Sequence, residues 1–177
     1  MVTPILETER ILLRPLKISD AEAVYNNWAT DTDVTKYVRW NNHRSIDVTL
    51  EWLTSLENNI ESDKSYDWGF LLKETGEVFG SGGVFYNDEH KMFEIGYVTM
   101  KKYLNKGLTT EAAKAIVDFA VNELKQTELY ARHAKENIAS GKVMEKCGFV
   151  YHSDGEYSSF DGTRTFKSRE CFLSLNK

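Results

Sequence analysis

Apolar positions recur along this chain with two periods, and the switches between them mark out its elements. From Arg10 to Lys17, Ile11 and Leu13 share one face, the pattern of a strand. Ser19-Asp20-Ala21-Glu22 has the form of a capping box, serine at the N-cap and glutamate three residues on. The helix it opens carries Ala21, Val24, Tyr25 and Trp28 on one side, and Asp31-Thr32-Asp33 breaks it. Ser45 opens a longer helix with Ile46, Leu50, Leu53, Leu56 and Ile60 at helical spacing, closed by the polar run from Asn58 to Asp63. The period then shortens to two. Tyr66, Trp68, Phe70 and Leu72 alternate with Asp67, Gly69, Leu71 and Lys73. The turn Glu74-Thr75-Gly76-Glu77 leads to a strand over Val78–Tyr86, and Asn87–Lys91 turns into another over Met92–Met100. Short turns between such strands predict an antiparallel meander.

The stretch from Phe93 to Leu124 organises the rest. Phe93, Ile95, Tyr97 and Thr99 fall on one strand face. Ala112, Ala113, Ile116, Val117, Ala120, Val121 and Leu124 recur at helical spacing, predicting a helix over Glu111–Leu124 that Thr109 or Thr110 can cap. Beyond it, Leu129–Lys135 reads as a strand, and Asn137–Cys147 as a short helix ended by Gly148. Phe149–Tyr157 and Arg164–Leu175, joined by Asp161-Gly162-Thr163, read as a closing hairpin. The predicted order is β-α-α-β-β-β-α-β-α-β-β, one mixed α/β sheet domain over residues 1–177 with no linker or repeat.

A strand delivered by a basic loop into a helix start is a ready anion site. The first backbone N–H groups of a helix lack intrahelical partners, and the helix dipole adds partial positive charge. Lys106 adds charge and Gly107 lets the backbone approach closely. The bland alternative is an ordinary capped helix after a strand. Two nucleotide motifs are excluded: Lys106 precedes Gly107, which breaks the P-loop spacing, and no second or third glycine completes a dinucleotide fingerprint.

Composition narrows the partners. Lys and Arg number 22 against 27 Asp and Glu, a formal charge of −5. That balance argues against a general nucleic-acid binder and suits a cationic acceptor such as an amine. Cys147 and Cys171 form neither a metal spacing nor a disulfide framework and fit a reducing compartment. His90, His133 and His152 stand apart, so no metal is expected. Glu7, Glu9 and Arg10 interrupt any early apolar run, and no segment approaches the ~20 apolar residues of a membrane span. A cytoplasmic protein that binds no membrane, and forms a homodimer through a sheet edge or the closing hairpin, is the expectation.

The joint pattern resembles the GNAT superfamily of acyl-coenzyme A-dependent N-acetyltransferases, most closely its RimJ/RimL-like branch. The residues that carry the likeness span nearly the whole chain. They are Thr8-Glu9-Arg10-Ile11-Leu12-Leu13-Arg14-Pro15 with Ser19-Asp20, then Glu94-Ile95-Gly96-Tyr97, then Lys106-Gly107 with Thr110-Glu111-Ala112. Asn137, Ser140, Glu145-Lys146 and Gly148-Phe149 complete it. The resemblance implies a mostly antiparallel, splayed central sheet flanked by helices, with acetyl-CoA as co-substrate. Tyr97, Val98 and Thr99 would hold the pantetheine arm through backbone groups. Leu104, Asn105, Lys106, Gly107, Leu108, Thr109 and Thr110 would hold the diphosphate, and Asn137 and Ser140 would make polar contacts near the sulfur. Read from the residues alone, Asn137 and Ser140 could equally cap the short helix.

The chain departs from that family in its loop, where Leu104 and Thr109 replace the usual polar and small residues. It departs also at Met144, where many relatives place a tyrosine that protonates the departing thiolate. The expected chemistry is direct attack on the thioester, in a ternary complex, by a neutral primary amine of a peptide N-terminus or a small molecule. Glu94, ahead of Asp88 and Glu89, would take the proton through water, the Val98 N–H would meet the oxyanion, and Ser140 or a water would protonate the thiolate. Trp28, Tyr37, Trp40, Trp68, Tyr86 and Phe160 are the aromatic candidates for the acceptor pocket, Trp40 foremost for its polar setting. The alternative readings are an acyl-CoA-binding module without turnover and an interaction domain without a cofactor.

Overall fold

The structure, a computed structural model, describes residues 1–175. The chain enters through β1 (Leu6–Glu7) and β2 (Ile11–Arg14), turns once as a 3-10 helix over Ile18–Asp20, and continues as α1 (Ala21–Val24). A wide π-helical turn over Tyr25–Ala29 ends this helix. After a long loop come α2 (Ile46–Asn58) and the meander β3 (Ser65–Leu72), β4 (Val78–Asn87) and β5 (Met92–Thr99). Then follow α3 (Leu108–Asn122), β6 (Glu128–Ala134), α4 (Ile138–Lys146), β7 (Val150–Ser158) and β8 (Thr165–Ser174).

Among the described residues these strands form one sheet in the order β1-β2-β3-β4-β5-β6-β8-β7. Every neighbouring pair is antiparallel except β5 and β6, which run parallel and pair only through Phe93–Leu129 and Glu94–Tyr130. Beyond Glu94 the two strands part. The mixed sheet with a splayed centre is the expected one, with the two-residue β1 as an addition.

Two cores hold the layers together. Under one face, α3 and α4 pack on the sheet through Ala112, Ala113, Ile116, Ala120 and Met144 against Phe70, Phe79, Val84 and Ile95. The alanines bring the α3 backbone close to the strands. Over the other face, Val24, Trp28 and Leu53 close on Leu16, Leu71 and Val78. This second layer is thinner. Trp52 and Leu56 of α2 are only half-buried, because they line a cleft rather than a filled core.

Three local expectations are corrected. Ser19 does not cap α1. Asp20 holds this corner instead, accepting the Lys17 N–H at 2.8 Å and both Arg14 Nη groups at 2.8 Å. An ion pair that also closes a turn outcompetes a lone hydroxyl. Neither Thr109 nor Thr110 caps α3: the helix starts three residues early, with Gly107 at the N-cap (φ 75°) and Glu111 N–H donating to Gly107 O. Ile60 lies past the end of α2, which stops at Asn58. Gly148 does end α4 as read: its φ is 95°, and the Gly148 and Phe149 N–H groups donate to Glu145 O and Met144 O.

Candidate active site

The parting of β5 and β6 opens a cleft of about 830 Å³ through the middle of the molecule. Which backbone groups face the gap follows from the ladder. Met100 N–H donates to Phe79 O on β4, and Val98 O points at Gly80 of the same strand. Even-numbered residues of β5 therefore turn their backbone groups to β4, and Tyr97 and Thr99 turn theirs to the gap, where β6 no longer pairs. The expected oxyanion donor, the Val98 N–H, is thus occupied by the sheet. Tyr97 and Thr99 carry the free backbone groups.

At one end of the gap lies the loop into α3. Asn105 (φ 59°) and Gly107 (φ 75°) are both left-handed, and they turn the chain so that the α3 N-terminus borders the cleft. Leu104, Asn105, Gly107, Thr109 and Thr110 line it. The loop is braced from outside. Arg10 donates from Nη1 to Lys106 O at 3.2 Å and from Nε to Glu111 at 2.7 Å, and Glu111 also accepts the Thr8 hydroxyl and the Arg10 N–H. Thr99 Oγ1 and Thr109 Oγ1, 2.8 Å apart, tie the end of β5 to the start of α3. Gly107→Ala leaves room for the methyl, since Arg10 Nη2 at 3.5 Å is its only close neighbour. The left-handed backbone alone then costs about 1–2 kcal/mol, a melting-point drop of roughly 2–8 °C by scanning calorimetry, and Gly107→Asn loses less.

Across the gap, Asn137 and Ser140 line the wall at the start of α4. Asn137 Oδ1 accepts the Ser140 N–H at 3.3 Å, so the cap and the cleft share one residue. Tyr97 donates its hydroxyl to Ser140 O at 2.9 Å, with Ser140 Oγ at 3.2 Å. Burial raises the Tyr97 hydroxyl above its ordinary value, which keeps it protonated as a donor. Met144 is buried beside them and lines the cleft.

Glu94 stands on the opposite face of β5, where the strands begin to part. Its Oε2 accepts Asn87 Nδ2 at 2.7 Å, and its Oε1 lies 3.5 Å from Arg132 Nε on β6. Burial is the dominant influence and raises its pKa; Arg132, Asn87, Arg39 and His90 only partly offset it. A carboxylate held above its ordinary range accepts a proton more readily near neutral pH.

The acceptor side is closed by the loop between α1 and α2, which docks on the β7–β8 hairpin. Arg39 Nε donates to Ser158 O at 2.9 Å, Phe160 N–H to Arg39 O at 2.8 Å, and the Tyr157 hydroxyl to Tyr37 O at 2.6 Å. Tyr37, Trp40 and Phe160 reach the cleft as expected, whereas Trp68 turns its ring into the α3 core against Phe119. Trp28 is core instead, and Tyr86 packs edge-on against Phe93 outside the cleft.

Other expected residues lie elsewhere. Lys106 leaves its ammonium 5.2 Å over the Tyr103 ring, and Leu108 points into the α3 core. Neither side chain lines the cleft, because the left-handed turn at Gly107 rolls them outward and inward. Asp88 and Glu89 sit on the exposed β4–β5 turn, outside the cleft. The cleft adds residues that sequence reading passed over: Asp67, Arg39, Arg132, His133, Lys142 and Lys146. The alternation of β3 signalled Asp67, since it sets it opposite Trp68 and Phe70. Both cysteines are free and buried. Among the described residues no group of three or more His, Cys, Asp or Glu could hold a metal ion, and no helix is long and apolar enough to cross a membrane.

Known proteins share this fold. The family model of the acetyltransferase (GNAT) domain matches residues 10–150. An uncharacterised N-acetyltransferase of Bacillus subtilis (strain 168), YnaD, is 32% identical over 145 residues, 81% of each chain. The crystal structure of a GNAT-family acetyltransferase from Bacillus anthracis is 25% identical, covers 98% of this chain and 100% of its own, and superposes with a TM-score of 0.81. The fold also matches the microcin C7 self-immunity acetyltransferase MccE, solved with acetyl-CoA and AMP: TM-score 0.82 and 14% identity, over 95% of this chain and 94% of that one. With the splayed β5–β6 pair and the loop into α3 already in place, the match over residues 10–150 makes this chain a member of the GNAT acetyltransferase family.

Proposed function

We propose that this protein moves an acetyl group from acetyl-CoA to a primary amine by direct attack in a ternary complex, as in the RimJ/RimL-like branch. One observation carries the reading. The gap-facing amides of Tyr97 and Thr99, the α3 N-terminus and the buried Glu94 all open into one cleft. The residues fit the donor. Free strand-edge groups suit the amides of a pantetheine arm, and the first α3 amides suit a diphosphate. The acceptor nitrogen loses its proton to Glu94, through water, and attacks the thioester carbon. The Tyr97 or Thr99 N–H meets the oxyanion, the C–S bond breaks as the C–N bond is kept, and the thiolate, accepting a hydrogen bond from the Ser140 hydroxyl that Tyr97 holds in place, takes its proton from water.

The test is a thermal shift followed by thiol detection. Acetyl-CoA at 100 times its Kd stabilises the fold by about 2.7 kcal/mol, roughly 5–10 °C for this size. An amine panel then releases free thiol. Absence of both at millimolar acetyl-CoA sinks the proposal. A second reading rests on Met144, which cannot donate a proton where the family resemblance implies a tyrosine: a module that binds acyl-CoA without turnover. It gives the thermal shift without thiol release.

A further inference from the structure

The sheet face that bears Glu94 holds a second carboxylate with a different character. Register places Asp67 on β3 opposite Gly83 on β4, and Gly83 opposite Gly96 on β5. These three residues form one row on the Glu94 face. Two glycines make its middle flat, and the row ends at the gap where β5 leaves β6. The next row along holds Ser65, Phe85 and Glu94. The Phe85 ring borders the Gly96 floor, with its Cε1 3.5 Å from where a Gly96 methyl would stand. Trp40, Trp52 and Leu56 wall the cleft above. The result is an apolar trough with Asp67 at one end and the acetyl-transfer gap at the other.

Asp67 is recessed and lines this cleft, and it has no cation partner among the described residues. Its Oδ2 accepts the Ser65 hydroxyl at 2.8 Å. Its Oδ1 has no hydrogen-bond partner among them and lies over Gly83, 2.9 Å from where a methyl there would stand, so it points along the trough floor. The other carboxylate, Glu94, already has Arg132 and Asn87. Asp67 is half-buried and its free oxygen stays open to the cleft, so a cation seated over the trough can pair with it without displacing another partner. Burial also keeps its pKa above the usual carboxylate range, with Ser65 opposing.

We infer that Asp67 is the acceptor-binding residue and that the acceptor is a small dicationic amine, one nitrogen reacting at the gap and a second protonated nitrogen held by Asp67. This rests on the acetyl-transfer reading of the same cleft. The row spans two strand spacings, so the two nitrogens sit roughly 10 Å apart, joined by an apolar chain over Gly83 and Gly96. The reacting nitrogen gains the acetyl carbon and gives its proton to the Glu94 side; the distal nitrogen stays charged.

The experiment compares α,ω-diamines of increasing length with n-alkylamines of the same carbon count, in the parent, in Asp67→Asn and in Gly96→Ala. Thiol release gives KM and kcat, and the thermal shift by diamine alone gives binding. The parent favours diamines with a length optimum. Asp67→Asn raises the diamine KM about tenfold, leaves kcat nearly unchanged, and does not alter the monoamines. Gly96→Ala folds as the parent does, because its methyl meets only Phe85, and it weakens diamine binding by narrowing the floor. The inference is overturned if the parent shows no diamine preference, or if Asp67→Asn depresses monoamines and diamines alike. Should no amine release thiol, the transfer reading fails by itself. A diamine shift present in the parent and lost in Asp67→Asn then still supports the binding site, and its absence in the parent overturns it.

Discussion

Glu94→Gln lowers kcat/KM for amine acetylation by about 10²- to 10⁴-fold, the usual range for removing a general base. The substitution keeps shape and the Asn87 hydrogen bond and removes the proton acceptor together with the charge that faces Arg132. Its signature is in the pH profile. Burial raises the Glu94 pKa, so in the parent kcat/KM climbs as pH rises through a value above the ordinary carboxylate range. The variant loses this acid limb and keeps any alkaline one. Stability moves the other way. A carboxyl whose folded-state pKa is raised binds its proton more tightly when folded. Its favourable contribution is full below the unfolded pKa and is lost as pH rises through the folded one. At neutral pH the ionised Glu94 is therefore a cost, so Glu94→Gln melts no lower than the parent there, and the two curves converge on acidification. A variant that is inactive and also melts well below the parent at neutral pH would place Glu94 in the structure and not in the chemistry. Unchanged kcat/KM would move the base elsewhere, with His133 on the opposite wall the next to test.

Much of this was legible from spacing alone. Period-two runs located β3 and β5, their turns located β4 between them, and helical spacing of alanines and Ile116 located α3, because burial of one face is written in every second or every third-to-fourth residue. The loop around Gly107 was legible too, since only a residue free to take a positive φ fits there. What spacing could not show was phase. Whether Val98 or Tyr97 turns its amide to the gap depends on how β5 registers on β4, and a single residue reverses the answer. The same holds for Asp67, which alternation marks as opposite Trp68 but which only the β3–β4–β5 register sets in a row with two glycines. Lys106 misled for a simpler reason. A charge beside a glycine reads as a ligand contact, but the left-handed turn aims it at the Tyr103 ring. The Ser19 box misled because its competitor, Arg14, lies upstream on β2 and pairs with Asp20.

The acceptor wall was the least legible part, because it docks on the closing hairpin more than a hundred positions away, through Arg164 above all. Arg164, at the foot of β8, donates from Nη1 to Thr35 O and Lys36 O at 3.3 Å each, and from Nη2 to Val38 O, Trp40 O and Asn41 Oδ1 at 3.2, 2.8 and 3.2 Å. A planar fork is suited to gathering several acceptors from one loop. Most of these bonds are long, so together they contribute about 3 kcal/mol, less than the sum of ideal charged bonds. Arg164→Met keeps the stem and removes every donor. The loop retains the Arg39–Ser158, Tyr157–Tyr37 and Asn41–Asp161 bonds but spends more time undocked. Apparent acceptor affinity falls with the docked fraction, so the amine KM rises about 30- to 100-fold with a smaller loss in kcat. Trypsin should then cut at Lys36 or Arg39, which the docked loop protects. The loop reaches the α3 end of the cleft through the exposed Lys101–Asp33 ion pair, a weak tie, so the thermal shift by acetyl-CoA is largely kept. Arg164→Lys, with a charge but no fork, recovers only part of the loss. An unchanged KM with the loop still protected would mean that the remaining tethers suffice, and an equal loss of the acetyl-CoA shift would mean that Arg164 supports the whole sheet and not the acceptor wall.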